Sequence, residues 1–176
     1  MARILAVLLL ALPLLSACAD TAQPTRIGAD GKPLPRLYRI APGQTAMIQF
    51  RVLDAVNALR RAAGQAPVGL DARLNAAAAT HSRDMSIQNR PWHFGSDGSS
   101  PIDRVQRVGY EGQLVGETIS ETFEDELKTL EAWMQDENTR RVILAPEADE
   151  MGLAWLQEDS GKLWWTLVMG ASRRPS

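Results

Sequence analysis

The chain has 176 residues, a length that suits one domain, and its 45% hydrophobic and 23% charged content is ordinary for a globular protein. A formal net charge of −2 and a pI near 5.7 leave no strongly basic face, which excludes nucleic acid as the expected partner. The single cysteine, Cys18, excludes an intrachain disulfide, so the fold has to be held by its core.

Arg3 provides a minimal positive start, and residues 4–15 are almost wholly apolar. That run is shorter than the ~20 residues needed to span a bilayer, and it fits the hydrophobic region of a signal peptide. Leu15-Ser16-Ala17-Cys18 follows and resembles the bacterial lipobox. The resemblance implies cleavage after residue 17, a diacylglyceryl thioether on Cys18 and an acylated amine. More than one acyl chain gives durable membrane anchoring. In enteric lipoproteins an Asp directly after the cysteine favours the inner membrane. Here Ala19 holds that position and Asp20 comes one later, which favours the outer membrane. The expected product is exported and attached on the extracytoplasmic face.

Residues 19–35 are polar and rich in Gly and Pro, and the stretch from Cys18 to about residue 43 reads as a tether. Within it, residues 36–40 (RLYRI) suit a short edge strand or an extended arm. The globular part is expected over 44–171, with 172–176 as a tail. Ile48, Val52, Ala55, Val56 and Leu59 share one helical face, and Gly64 stops that helix. The charged pairs Arg60-Arg61, Arg140-Arg141 and Arg173-Arg174 read as solvated. Asp71 is a good N-cap for a second helix whose stripe is Leu74, Ala77, Ala78, His81 and Met85. A histidine on such a stripe is either a satisfied core residue or part of a site.

Pro91 to Gly98 is loop-like, and a short helix over 101–108 has Pro101 in its first turn. Gly109 ends it, and Val115-Gly116-Glu117 reads as a loop. Thr122 with Asp125 resembles a capping box for a helix with the stripe Phe123, Leu127, Leu130 and Met134. Asp136 can cap a last short helix ending near Leu144, before Pro146. Residues 151–157 and 163–169 are strand-like and flank the turn 158–161, which makes a hairpin. Helices first and an antiparallel hairpin last give an α+β domain.

From about Thr45 to Gly170 the order and spacing of these residues resemble the CAP superfamily of cysteine-rich secretory, antigen 5 and pathogenesis-related proteins. The resemblance is carried by Asn57 with Arg60, by His81-Ser82 with Met85, and by Trp92-His93. It continues through Arg104 with Gly109-Tyr110, Gly116-Glu117, and Trp133-Met134 with Arg140, Ile143 and Leu144. It closes with 151–154 and 164–170. It implies an α-β-α sandwich, with helices around a small antiparallel sheet ending in the C-terminal hairpin. It also implies a cleft lined by two histidines and two acidic residues, which in some members bind a divalent metal. His93 holds the first histidine position, Glu117 the first acidic one, and Asp136 the position of a second acid or a serine. The second histidine position is Thr139, and Thr118 replaces the asparagine that usually follows the glutamate.

With His93 as the one nitrogen donor beside Glu117 and Asp136, the set is oxygen-rich, poorer for zinc and more tolerant of calcium or magnesium. Each residue also has a structural role open to it: Asp136 as a helix cap, Glu117 bonding backbone amides, His93 donating to a carboxylate such as Glu117. A triad of Ser96, His93 and Glu117 can be drawn, but no spacing singles out Ser96, and Cys18 is committed to the lipid. Two functions follow as expectations. One is a non-catalytic envelope module that binds a ligand or protein. The other is a divalent-metal-dependent hydrolase acting on envelope peptides or lipids.

Overall fold

The computed structural model describes residues 37–173. The expected signal peptide, Cys18, the first part of the expected tether and residues 174–176 lie outside that range. Within it, helix α1 (Thr45–Ala62) buries Ile48, Val52, Val56 and Arg60. It stops where Gly64 adopts φ +74°, a conformation that costs a side-chain-bearing residue energy. Strand β1 is only Gly69–Leu70. Helix α2 (Ala72–Gln88) starts where the Asp71 carboxylate accepts from the Arg73 and Leu74 amides at 2.8 and 2.9 Å. Helix α3 (Pro101–Arg107) is opened by a reciprocal Ser100–Asp103 capping box. Strand β2 (Gln113–Thr122), helices α4 (Glu126–Gln135) and α5 (Glu137–Ile143), and the hairpin β3 (Glu150–Gln157) with β4 (Leu163–Ala171) complete the domain.

The strands lie in the order β1-β3-β4-β2. Both β2 and β3 are antiparallel to β4, while β1 runs parallel to β3. The expected antiparallel sheet is thus present as β3-β4-β2, and two residues between α1 and α2 add to it in parallel at the edge of β3. Period-two alternation divides the sheet's side chains between two layers. Met151, Leu153, Leu163, Trp165, Leu167 and Met169 pack with α1, α4 and α5. Ala154 and Val168 pack with Leu74, Ala77 and Ala78 of α2 and with Val105 and Tyr110. The result is the α-β-α sandwich. Glycine allows α2 to lie close on β3: a Cβ built at Gly152 would overlap the Leu74 carbonyl group and the Asn75 amide nitrogen.

Three expectations are corrected. The 115–117 segment is part of strand β2, not a loop. Its polar residues and Gly116 hide the strand pattern, although Gly116 is needed where a Cβ would meet the Val142 methyls at 2.8 Å. Helix α4 is capped by Asp125, not Thr122, which moves its buried face to Glu126, Thr129, Leu130 and Trp133 and leaves Phe123 and Leu127 exposed. Buried Glu126 is held by Arg51 and by the Tyr38 hydroxyl at 2.7 Å. Arg60 is fully buried rather than solvated, and it donates to the carbonyls of Ala66, Ile143, Ala145 and Ala148 at 2.8–3.0 Å. Of the two forms open to residues 36–40, the described part, from Leu37, is the extended arm, and it lies on the hairpin. Gln157 accepts from the Ile40 amide at 3.0 Å and donates to the Tyr38 carbonyl at 2.9 Å.

Candidate functional site

Glu117 sits opposite Val168 in the β2–β4 register, on the sheet face that meets α2 and α3. That placement brings four side chains together. His81 arrives from α2, Arg104 from α3, and His93 from the loop between them. The Glu117 side chain is only 3% exposed. Arg104 Nη2 donates to both carboxylate oxygens at 2.9 Å, and His93 Nδ1 lies 2.9 Å from Oε1. Arg104 also donates to the backbone carbonyls of His93 and Ser99, each at 3.0 Å. One guanidinium thus holds both the carboxylate and the backbone of the loop that carries His93.

The charge state follows from these partners. Burial pushes the Glu117 carboxyl up, but the His93 hydrogen bond and the neighbouring His81 and Arg104 outweigh it, and the net direction is down. Glu117 is ionised at neutral pH and can only accept. His93 therefore donates to it through Nδ1–H, which leaves Nε2 on the far side of the ring. Half of the His93 side chain is exposed. It is flanked by Trp92 and Phe94, whose rings tilt against each other at 5.5 Å, with Arg90 lying 4.1 Å from the Trp92 ring centre. Phe94 is exposed and Trp92 half-buried, so the two rings form a partly exposed aromatic rim beside His93.

His81 is the opposite case. It is fully buried as the stripe predicted, yet neither ring nitrogen makes a hydrogen bond, and Nε2 lies 3.6 Å from Glu117 Oε1. Burial lowers its pKa, against the pull of the Glu117 carboxylate, so it is neutral near pH 7. It packs within the α2 stripe, directly beneath the Glu117 carboxylate.

The other expected residues stand apart from this cluster. Asp136 is exposed and caps α5, accepting from the Asn138 and Thr139 amides at 2.8 and 3.2 Å. Thr139 donates its hydroxyl to the Trp133 carbonyl. Ser96 donates to Asp84 at 2.8 Å, so its hydroxyl is not directed at His93. Among the described residues, no three His, Cys, Asp or Glu side chains converge as a metal-holding group.

The sequence pattern described as the cysteine-rich secretory protein family, CAP, matches residues 53–169. The chain belongs to the CAP family. Among curated relatives of this CAP domain is "Uncharacterized protein YkwD" of Bacillus subtilis, 28% identical over 130 residues. That match covers 74% of this chain and spans about half, 50%, of the relative. Among solved structures, an outer surface protein of Borrelia burgdorferi superposes with a TM-score of 0.67 at 14% identity, covering 78% of this chain and 100% of that one. An extracellular protein containing an SCP domain from Bacillus anthracis gives 0.64 at 22% identity, covering 75% and 44%. These likenesses establish the fold.

Two members of the cluster, Arg104 and His81, were visible only as pattern residues. For Arg104 the signal was its place in the Arg…Gly-Tyr spacing. For His81 it was a titratable side chain on an apolar stripe, which leaves its partner unnamed until β2 is seen as a strand.

Proposed function

We propose that this CAP domain is a lipid-anchored, extracytoplasmic binding module of the cell envelope, whose recognition surface is the aromatic rim around His93, and that it is not a hydrolase. The observation that carries the reading is the engagement of Glu117. Both of its oxygens accept from a buried guanidinium, and one also meets His93. The carboxylate acts as an anchor that orients His93 and its loop.

The same observation bears on metal. A catalytic zinc site uses about three protein ligands with an open position. Here a cation at Glu117 would face the Arg104 guanidinium, and Asp136 is committed to a helix cap. What remains is the half-exposed His93 imidazole and the fully buried His81, 3.6 Å from the same carboxylate. This donor set does not suit a resident divalent ion, whether zinc, calcium or magnesium. The lipobox-like 15–18 segment supports the anchor. Domains of the same fold on an outer surface protein and an extracellular protein support the extracytoplasmic place.

The anchor is tested by Cys18→Ser in cells, followed by fractionation. The account expects loss of acyl labelling and release from the membrane fraction; an unchanged membrane-bound fraction would contradict it. The recognition surface is tested by a thermal-shift screen of the full chain in detergent against peptidoglycan fragments and phospholipids. A ligand whose stabilisation disappears in His93→Ala supports the rim. A ligand that stabilises wild type, His93→Ala and Glu117→Ala equally places recognition elsewhere, and chelator-sensitive hydrolysis of either class would restore the enzyme reading.

A further inference from the structure

Away from Glu117, a cavity of about 530 Å³ opens between the start of α1, the outer side of α2 and the free edge of β3, sharing no residue with the Glu117 cluster. Small-ligand sites span ~300–1,000 Å³. The space comes from small side chains, Ala76 and Ala79 on α2 and Ala154 on β3. No Asp, Glu, Lys, Arg or His lines it, so a charged ligand would lose its hydration there without a counter-charge. Half-buried Trp155 is on the wall, its ring fixed against that of Trp165 at 5.1 Å.

Two wall residues carry amides whose orientation is decided by the backbone. The Leu153 amide donates to Asn75 Oδ1 at 2.8 Å, and Gln49 Nε2 donates to the Leu153 carbonyl at 2.8 Å. A backbone N–H must meet the side-chain oxygen and a carbonyl must meet the NH₂ group, so neither amide can be flipped without losing its bond. Asn75 Nδ2 is left as a donor and Gln49 Oε1 as an acceptor, with no partner for either among the described residues. The same two bonds occupy the outward N–H and C=O of Leu153. A peptide strand therefore cannot add to β3 at that point, which argues against an extended chain as the occupant.

We propose that this cavity binds a compact, neutral ligand of the acetamido-sugar class, with a secondary amide beside an apolar ring face. The ligand carbonyl accepts from Asn75 Nδ2, its N–H donates to Gln49 Oε1, and its C–H face lies against Trp155. The proposal is independent of what the His93 rim contacts.

The test is a titration of the full chain, labelled with ¹⁵N-tryptophan, with N-acetylglucosamine, glucose and N-acetylglycinamide. The Trp155 indole signal is assigned by its loss in Trp155→Phe. N-acetylglucosamine is expected to shift that signal at about tenfold lower concentration than either glucose, which lacks the amide, or N-acetylglycinamide, which lacks the ring. Ala79→Leu, at an exposed helical position, fills the cavity and is expected to weaken the response about tenfold without lowering Tm. Asn75→Asp keeps the oxygen that Leu153 needs, removes the donor, and weakens it likewise; if that variant misfolds, Ala79→Leu decides alone. The proposal is overturned if N-acetylglucosamine does no better than glucose, if N-acetylglycinamide matches it, or if Ala79→Leu binds as wild type.

Discussion

Replacing Arg104 with Met should be among the most destabilising single changes in the domain. The Arg104 side chain is 2% exposed and that of Glu117 3%, so the substitution leaves a buried carboxylate with His93 as its remaining hydrogen-bond donor. Breaking one partner of a buried ion pair costs ~3–5 kcal/mol. The His93 and Ser99 carbonyls lose a donor as well, which places the value near the upper end. For a domain of this size ~1 kcal/mol moves Tm by roughly 2–5 °C, so a fall on the order of 10–20 °C is expected. Urea unfolding followed by tryptophan fluorescence gives the free energy. The double variant Arg104→Met/Glu117→Gln should recover ~1–3 kcal/mol relative to the sum of the single costs, because the orphaned charge is gone. An Arg104→Met cost below ~1 kcal/mol, or single costs additive within ~0.5 kcal/mol, would refute the coupling.

The same cluster gives stability a signed pH dependence. His81 and Glu117 both have folded-state pKa values depressed below their unfolded ones. The unfolded chain therefore binds these protons first, and their stabilisation is present at neutral pH and lost on acidification. Loss should begin as pH falls through ~6.5 for His81 and deepen below ~4.3 for Glu117. His81→Gln should flatten the upper part of the profile and spare the lower part; superimposable wild-type and variant profiles would show that His81 does not titrate with folding. Gly152→Ala should cost more than ~3 kcal/mol, since its Cβ would overlap the backbone of α2 and cannot be accommodated by a rotamer change. A wild-type urea midpoint for that variant would show that α2 is not packed against β3 at that point.

Much of the fold was legible because its signals are local. Asp71, Pro101 and Asp136 mark helix starts in the sequence, and each does so in the structure. The apolar runs of β3 and β4 and the turn between them are equally plain. What was not legible depends on contacts distant in sequence. Strand β2 is an edge strand with alternating polar residues and Gly116, and nothing local distinguishes it from a loop until β4 pairs with it. Arg60 looks like any surface arginine until the carbonyls of 143–148 close around it. The site was half legible for the same reason. His93 and Glu117 stand out by residue type and setting, whereas their union with His81 and Arg104 requires α2, α3 and β2 in one layer. Asp136 and Thr139 hold family positions, but their polar atoms are spent on the local geometry of α5 and the preceding turn.

The central claim, that Glu117 is an anchor for His93 and not a metal ligand, is tested most directly by equilibrium dialysis of the full chain against zinc, calcium and magnesium. Parallel samples carry His93→Ala and Glu117→Gln. The account predicts no near-stoichiometric uptake of any of the three ions by the wild-type chain. Near-stoichiometric uptake by wild type that both variants abolish would contradict it.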